Sequence, residues 1–132
     1  MAKCPVEFVE QFIEAMNRSD MASVANSFDP DLRAYITNAQ GGTDLIVGRD
    51  EMLARFPDFA AMADRFRATV TQIHEIDQRT VLFMVEINAQ RLGMTLHNFA
   101  GILIRLSDGG RMTEYRMVEA LPAESDHFWS TT

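Results

Sequence analysis

The spacing of apolar residues along the chain changes near residue 67, from a helical period to strict alternation. Before that point, apolar side chains recur every three or four positions, which is typical of amphipathic helices. Asp29-Pro30 is expected to end the second helix, and Pro57 to interrupt the third. We predict helices over residues 5–17, about 21–28 and from 50 to 56, a further turn through 59–62, a strand at 32–38 and a loop at 39–44.

Beyond residue 67, apolar and polar residues alternate, as in strands that bury one face. The Gly-rich segment Asp108-Gly109-Gly110 marks a tight turn between the last two of these strands. We predict strands at about 67–77, 80–91, 94–107 and 110–120. The tail, residues 121–132, is expected to pack on the domain or on a dimer partner.

The alternation also predicts which side chains face the core. In each of the two central strands one set of alternate residues is the more apolar, and we place that set inward. The predicted inner residues are Val81, Phe83, Val85, Ile87, Ala89, Leu96, Asn98, Ala100, Ile102, Ile104 and Leu106. Leu82 and Met84 then face outward, where exposed apolar side chains indicate that another copy of the chain covers the sheet.

Composition narrows the class of protein. The 132 residues are expected to form one domain, and Phe and Met (nine each) can fill a core or line a pocket. Twelve basic against 19 acidic residues, without a basic stripe, argue against nucleic acid and membrane surfaces as partners. With Cys4 as the single cysteine and no signal-peptide core, we expect a cytoplasmic protein.

Several kinds of catalytic site leave no trace in the sequence. The three histidines and Cys4 show no close metal-ligand spacing, although ligands from distant positions stay possible. No phosphate-binding loop and no nucleophile elbow is present. We therefore expect no metal and no cofactor, which leaves acid–base chemistry in an apolar cavity.

Three residues are candidates for that chemistry. Glu119 shares a predicted strand face with Tyr115 and Met117, where lost hydration would raise the pKa of its carboxyl group; the alternative is a solvated or arginine-paired Glu119. Tyr115 either donates to a substrate carbonyl or simply packs. His74 lies on the predicted inner face of its strand, as a core histidine or as a reserve base.

The order of these elements resembles the nuclear transport factor 2-like superfamily, and within it the SnoaL-like polyketide cyclase and ketosteroid isomerase branch. The resemblance spans about residues 5–120 and is carried by FIEAMNRSD at 12–20, VGRDEM at 47–52 and DGGRMTEYR at 108–116. It implies an α+β cone in which a strongly curved antiparallel sheet wraps the helices around a deep pocket. It also implies dimerisation through the outer face of the sheet.

The catalytic residues of these relatives do not carry over. Phe12 stands where ketosteroid isomerases have their donor tyrosine, and Ile36 and Ile102 stand near their base and protonated acid. Met117 occupies the position of the catalytic aspartate of SnoaL-like cyclases. Because these polar groups are replaced by apolar side chains, steroid isomerase chemistry is rejected.

We therefore expect a binding protein for a small apolar organic molecule, with a pocket of roughly 300–1,000 Å³. If it is an enzyme, it is a cofactor-free isomerase, cyclase or dehydratase using Glu119. The alternative is a non-catalytic interaction module working through outer-face Leu82, Met84, Phe99 and Leu103. The predicted ligand contacts are Phe12, Tyr35, Asn38, Phe56, Phe59, Asn98, Ile102 and Met117.

Overall fold

A computed structural model describes residues 4–132 of the chain. The helices are α1 (Pro5–Asn17), α2 (Met21–Ser27), α3 (Arg49–Arg55), α4 (Phe59–Met62) and α5 (Pro122–Ser130). The strands are β1 (Phe28–Thr37), β2 (Thr43–Val47), β3 (Arg65–Glu75), β4 (Thr80–Arg91), β5 (Met94–Leu106) and β6 (Met112–Glu119).

The strands of this part of the chain form one curved, unclosed sheet in the order β2-β1-β6-β5-β4-β3. Only the β1–β6 pair is parallel, and every other neighbouring pair is antiparallel. The N-terminal helices pack on the inner face of the sheet, where the main core lies. The predicted α+β fold is confirmed. In the described residues, no helix is both long and apolar enough to cross a membrane.

The first two helices form where local signals predict them. Pro5 occupies the first turn of α1, where its missing N–H costs nothing, and Phe8, Val9 and Phe12 bury one face of the helix. Asp20 caps α2 by accepting hydrogen bonds from the Ser23 backbone N–H (3.2 Å) and hydroxyl (2.7 Å). The core face of α1 thus lies over the sheet.

The start of β1 differs from the prediction. The second helix ends at Ser27, and Phe28 is already extended, so Asp29-Pro30 lies inside the strand. Proline is tolerated there because the β1–β6 ladder is interrupted between Phe28 and Arg33. The predicted strand at 32–38 is therefore the second half of a longer one.

The edge strand β2 was not predicted. Residues 43 and 44, assigned to a loop, begin it, and it pairs with β1 from Thr43↔Thr37 to Val47↔Arg33. Ile46 is buried, while Leu45 and Val47 are exposed. The signal available in the sequence was the apolar run Leu45-Ile46-Val47, which is short enough to be missed beside a glycine-rich turn.

The predicted faces of the two central strands are confirmed. Most of the predicted inner residues of β4 and β5 are buried, and Ile87 is half-buried against the core. Leu82, Met84 and Phe99 are exposed on the opposite face, and the register pairs Leu82 with Leu103 and Met84 with Gly101. An apolar strip therefore runs across the outer face.

The tail packs on its own domain as α5. Phe128 is buried in a small cluster with Ala89 and Leu96. The Arg91 guanidinium also donates to the Phe128 carbonyl (2.9 Å) and to the carbonyl of Thr131. This helix closes one side of the space between the N-terminal helices and the sheet.

Candidate functional site

A cavity of about 130 Å³ lies between the inner face of the sheet, α1, the α3–α4 segment and α5. It is smaller than predicted, because six aromatic side chains project into the same space. Its walls are almost entirely apolar. The lining residues are Phe12, Ile13, Met16, Ile36, Arg55, Phe56, Phe59, Phe66, Ala68, Val85, Ile87, Leu96, Asn98, Ala100, Ile102, Tyr115, Met117, Glu119, Ser125 and Trp129.

Strand register arranges the sheet side of the cavity in rows. Met117 of β6 lies beside Ile102 of β5, and Glu119 lies beside Ala100, which lies beside Val85 of β4. All of these residues line the cavity, so the Glu119 carboxyl is set into an apolar row. The prediction that Tyr115, Met117 and Glu119 share one inward face is confirmed.

The opposite side of the cavity is aromatic. The rings of Phe12 and Phe56 lie 5.8 Å apart, those of Phe56 and Phe59 5.4 Å, and those of Phe59 and Trp129 4.9 Å. Such rings offer large flat surfaces with few rotatable bonds. They suit contact with a ring-sized apolar ligand.

Glu119 is half-buried, and burial raises the pKa of its carboxyl group, partly offset by a hydrogen bond with the Ser125 side chain. Tyr115 is buried, and its hydroxyl faces the sulfur of Met117 at 3.8 Å. Burial, together with the charge of Glu119, raises the pKa of the Tyr115 phenol. The phenol therefore stays protonated and can donate a hydrogen bond.

Asn98 lines the cavity, but its polar atoms are engaged by the backbone. Its Oδ1 accepts from the N–H groups of Phe99 (2.9 Å) and Leu121 (3.0 Å), and its Nδ2 donates to the Leu121 carbonyl (3.4 Å). Within residues 4–132, Asn98 is the polar residue that is buried among the apolar core residues. Asn98 therefore holds the residue that precedes α5, a role the sequence did not indicate.

The inward orientation predicted for His74 is wrong. The β3–β4 register shifts between Val70 and Gln72, and this irregularity exchanges the two faces of the rest of β3. Ile73 consequently packs against the core, and His74 is exposed. Its Nε2 lies 3.3 Å from Oε1 of Gln72. His74 does not line the cavity, so it is not available there as a base.

Tyr35 and Asn38 also lie outside the cavity, contrary to prediction. Tyr35 sits between inward Ala34 and Ile36, so its ring faces the outer side, where the Arg116 guanidinium lies 4.1 Å from the ring centre. Asn38 holds the β1–β2 turn by donating to Asp44 (3.0 Å) and accepting from the Gly42 N–H (2.9 Å).

Several lining residues were not among the predicted site residues, and they include Arg55, Ser125 and Trp129. Ser125 and Trp129 come from α5, which no local pattern placed on the cavity, although the single tryptophan was a usable signal. Arg55 is the last residue of α3, at the rim, and pairs with Asp44 at 3.0 Å. Within residues 4–132, no group of three or more His, Cys, Asp or Glu side chains could hold a metal ion.

A curved, open sheet wrapped around N-terminal helices, with an apolar cavity between them, defines a protein of the nuclear transport factor 2-like fold. The family model of the SnoaL-like domain matches residues 9–117, and the chain belongs to that family.

Similar proteins span nearly the whole chain. The Mycobacterium tuberculosis protein Rv0034 is 26% identical over 126 residues, 95% of each chain. The structure of Bal32a, from a soil-derived mobile gene cassette, matches with a TM-score of 0.76 at 22% identity, over 94% of this chain and 95% of its own. The structure of a SnoaL-like protein from Jannaschia sp. CCS1 matches with a TM-score of 0.72 at 15% identity, over 100% of this chain and 99% of its own. The two structural matches show the fold alone.

Proposed function

We propose that the chain binds a small, largely apolar carbonyl compound in the inner cavity and that Glu119 moves a proton on it. The observation that carries the proposal is a carboxyl group with a raised pKa set among apolar side chains and aromatic rings. A cavity of about 130 Å³ corresponds to a single ring, since an engineered apolar cavity of about 150 Å³ accepts benzene.

The chemistry follows from the two polar groups on the β6 face. The Glu119 carboxylate takes a proton from the carbon next to the carbonyl, and the electron pair of that C–H bond passes to the carbonyl oxygen as an enolate. Tyr115 can donate to this oxygen, because methionine sulfur, its present partner, is a weak acceptor. Returning the proton to the same carbon gives exchange alone. Where a C=C bond adjoins that carbon, the electron pair extends to the far end of the double bond, and returning the proton there shifts the double bond and completes an isomerisation.

Proton exchange tests this step without knowledge of the natural substrate. Cyclohexanone in D₂O is incubated with the protein, and deuterium uptake beside the carbonyl is followed by NMR. We expect the protein to accelerate uptake over buffer. Glu119→Gln should lower the protein-dependent rate by about 10²–10⁴-fold, the usual contribution of a positioned base.

Glu114→Gln is the matched control, since it removes the same charge from the same strand outside the cavity. Binding is measured separately through the fluorescence of Trp129, which lines the cavity and is the only tryptophan. Equal exchange rates for the wild type and Glu119→Gln would remove Glu119 from the mechanism. Binding without any exchange would leave a carrier protein.

A second candidate function concerns the outer face of the sheet. Leu82, Met84 and Phe99 are each about two-fifths exposed, and Val118 more so. We propose that a second copy of the chain covers this strip, since such a surface on a free monomer promotes association. Light scattering after size-exclusion chromatography should give twice the 14.9 kDa chain mass for the wild type. The Met84→Glu variant should give a lower mass, because a charge on this strip weakens the dimer. A wild-type monomer would favour a different protein partner there.

A further inference from the structure

Arg55 is a charged group at the rim of a largely apolar cavity. It ends α3 and lines the cavity together with Phe56 and Phe59. Its side chain is 43% exposed, so the guanidinium stands between the solvent and the aromatic wall. A ligand that binds against this wall would place one of its ends close to the guanidinium.

The guanidinium is held in position by a short chain of polar contacts. Asp44 Oδ2 accepts from one terminal nitrogen of Arg55 at 3.0 Å, and Asp44 Oδ1 accepts from Asn38 Nδ2 at 3.0 Å. Asn38 in turn accepts backbone N–H groups of the β1–β2 turn, from Gln40 (3.1 Å) and Gly42 (2.9 Å). The turn therefore fixes Asp44, and Asp44 fixes Arg55.

The strand register places this chain beside the cavity. Asp44 is paired with Ile36, and Ile36 with Met117, so Asp44 continues the inner row to which both lining residues belong. Glu119 lies two residues beyond Met117 on the same face. Standard strand spacings put its Cα about 12 Å from that of Asp44, and thus apart from the Arg55 end of the cavity.

Asp44 leaves donors of Arg55 available. A guanidinium carries five N–H groups, and among residues 4–132 the hydrogen bond to Asp44 engages one of its nitrogens. An exposed pair of this kind contributes little to stability. The remaining N–H groups can donate to a carboxylate, for which the planar fork of arginine is well matched.

We propose that Arg55 is the anion anchor of the cavity, and that the ligand is a ring-sized organic acid whose carboxylate meets Arg55 while its ring contacts Phe56 and Phe59. This proposal rests on the proposed function, because it takes the same cavity as the binding site. It adds the chemical class of the ligand and a residue that selects for it.

The test compares benzoate with benzamide, which share the ring and differ in charge. Dissociation constants are measured at pH 7 through Trp129 fluorescence and checked by isothermal titration calorimetry. We expect the wild type to bind benzoate at least tenfold more tightly, as charge-assisted hydrogen bonds require. Arg55→Gln should remove this preference, by lowering the affinity for benzoate at least tenfold more than the affinity for benzamide.

Arg79→Gln is the matched control. Arg79 also forms an exposed ion pair, with Asp108, so the substitution changes the net charge equally but lies outside the cavity. It should keep the benzoate preference, which would show that the general charge of the protein does not cause it.

Equal affinities of the wild type for benzoate and benzamide would overturn the anion anchor and leave the apolar binding site standing. A benzoate preference that survives Arg55→Gln would also overturn it, since the anion would then be bound by another group. Binding of neither probe would refute both this inference and the proposed ligand-binding function.

Discussion

Replacing Asn98 with alanine should detach the C-terminal helix from the sheet before the rest of the protein unfolds. Asn98 lies in the middle of β5, yet its side chain bonds the backbone of Leu121, 23 residues further along the chain. Leu121 immediately precedes α5, which supplies Ser125 and Trp129 to the cavity. The substitution therefore tests one contact that joins the sheet to a wall of the site.

The size of the effect follows from the contacts that are lost. Asn98 accepts two short hydrogen bonds, of 2.9 and 3.0 Å, and donates one long bond of 3.4 Å. Each short bond contributes about 1 kcal/mol, and a stranded, partly buried donor adds a similar cost. We expect the free energy of unfolding to fall by about 2–4 kcal/mol.

Two probes of urea unfolding separate local from global loss. Far-UV circular dichroism follows the whole fold, whereas Trp129 fluorescence and its quenching by acrylamide follow α5. In Asn98→Ala, the fluorescence transition should occur at lower urea than the dichroism transition, and quenching in the absence of urea should increase. Asn88→Ala is the control, because Asn88 is exposed on the neighbouring strand.

A loss of less than about 0.5 kcal/mol, with unchanged acrylamide quenching, would refute this account of Asn98, because surface substitutions fall within that range. Coincident transitions at a lower urea concentration would show that α5 and the sheet unfold as one unit.

Two further predictions concern the hairpin turn and pH. Leu92 and Gly93 connect β4 to β5 with φ of 51° and 77°, in the left-handed region that asparagine adopts more readily than leucine or valine. Leu92→Asn should therefore raise the free energy of unfolding by about 1 kcal/mol in urea titrations, and Leu92→Val should lower it. Because burial raises the pKa of Glu119 in the folded state, its ionisation destabilises the fold once the pH exceeds the unfolded value near 4.5. The free energy of unfolding of Glu119→Gln should therefore equal that of the wild type below pH 4.5 and exceed it at pH 7. If the two proteins differ by the same amount at both pH values, the burial assigned to Glu119 is contradicted.

The sequence alone determined most of the helices and the long strands, because a helix or strand with one buried face repeats its apolar residues at its own period. The inward set of β5 was predicted residue by residue for this reason. The alternation also predicted that Glu119 lies on the same face as Tyr115 and Met117. The break at Pro57 was predicted because proline lacks the backbone N–H that a continuing helix needs.

The tertiary structure decided what depends on contacts between distant segments. The irregularity in β3 that turns His74 outward arises from its pairing with β4, and no period within β3 records it. Pairing with β1 likewise makes Thr43–Val47 a strand, and the docking of α5 adds Ser125 and Trp129 to the wall of the cavity. The tether from Asn98 to Leu121 and the position of Arg55 beside Asp44 also join residues far apart in the chain. The period of apolar residues predicts which face of a helix or strand a residue lies on. A site, in contrast, is formed by side chains that come into contact only after the chain has folded.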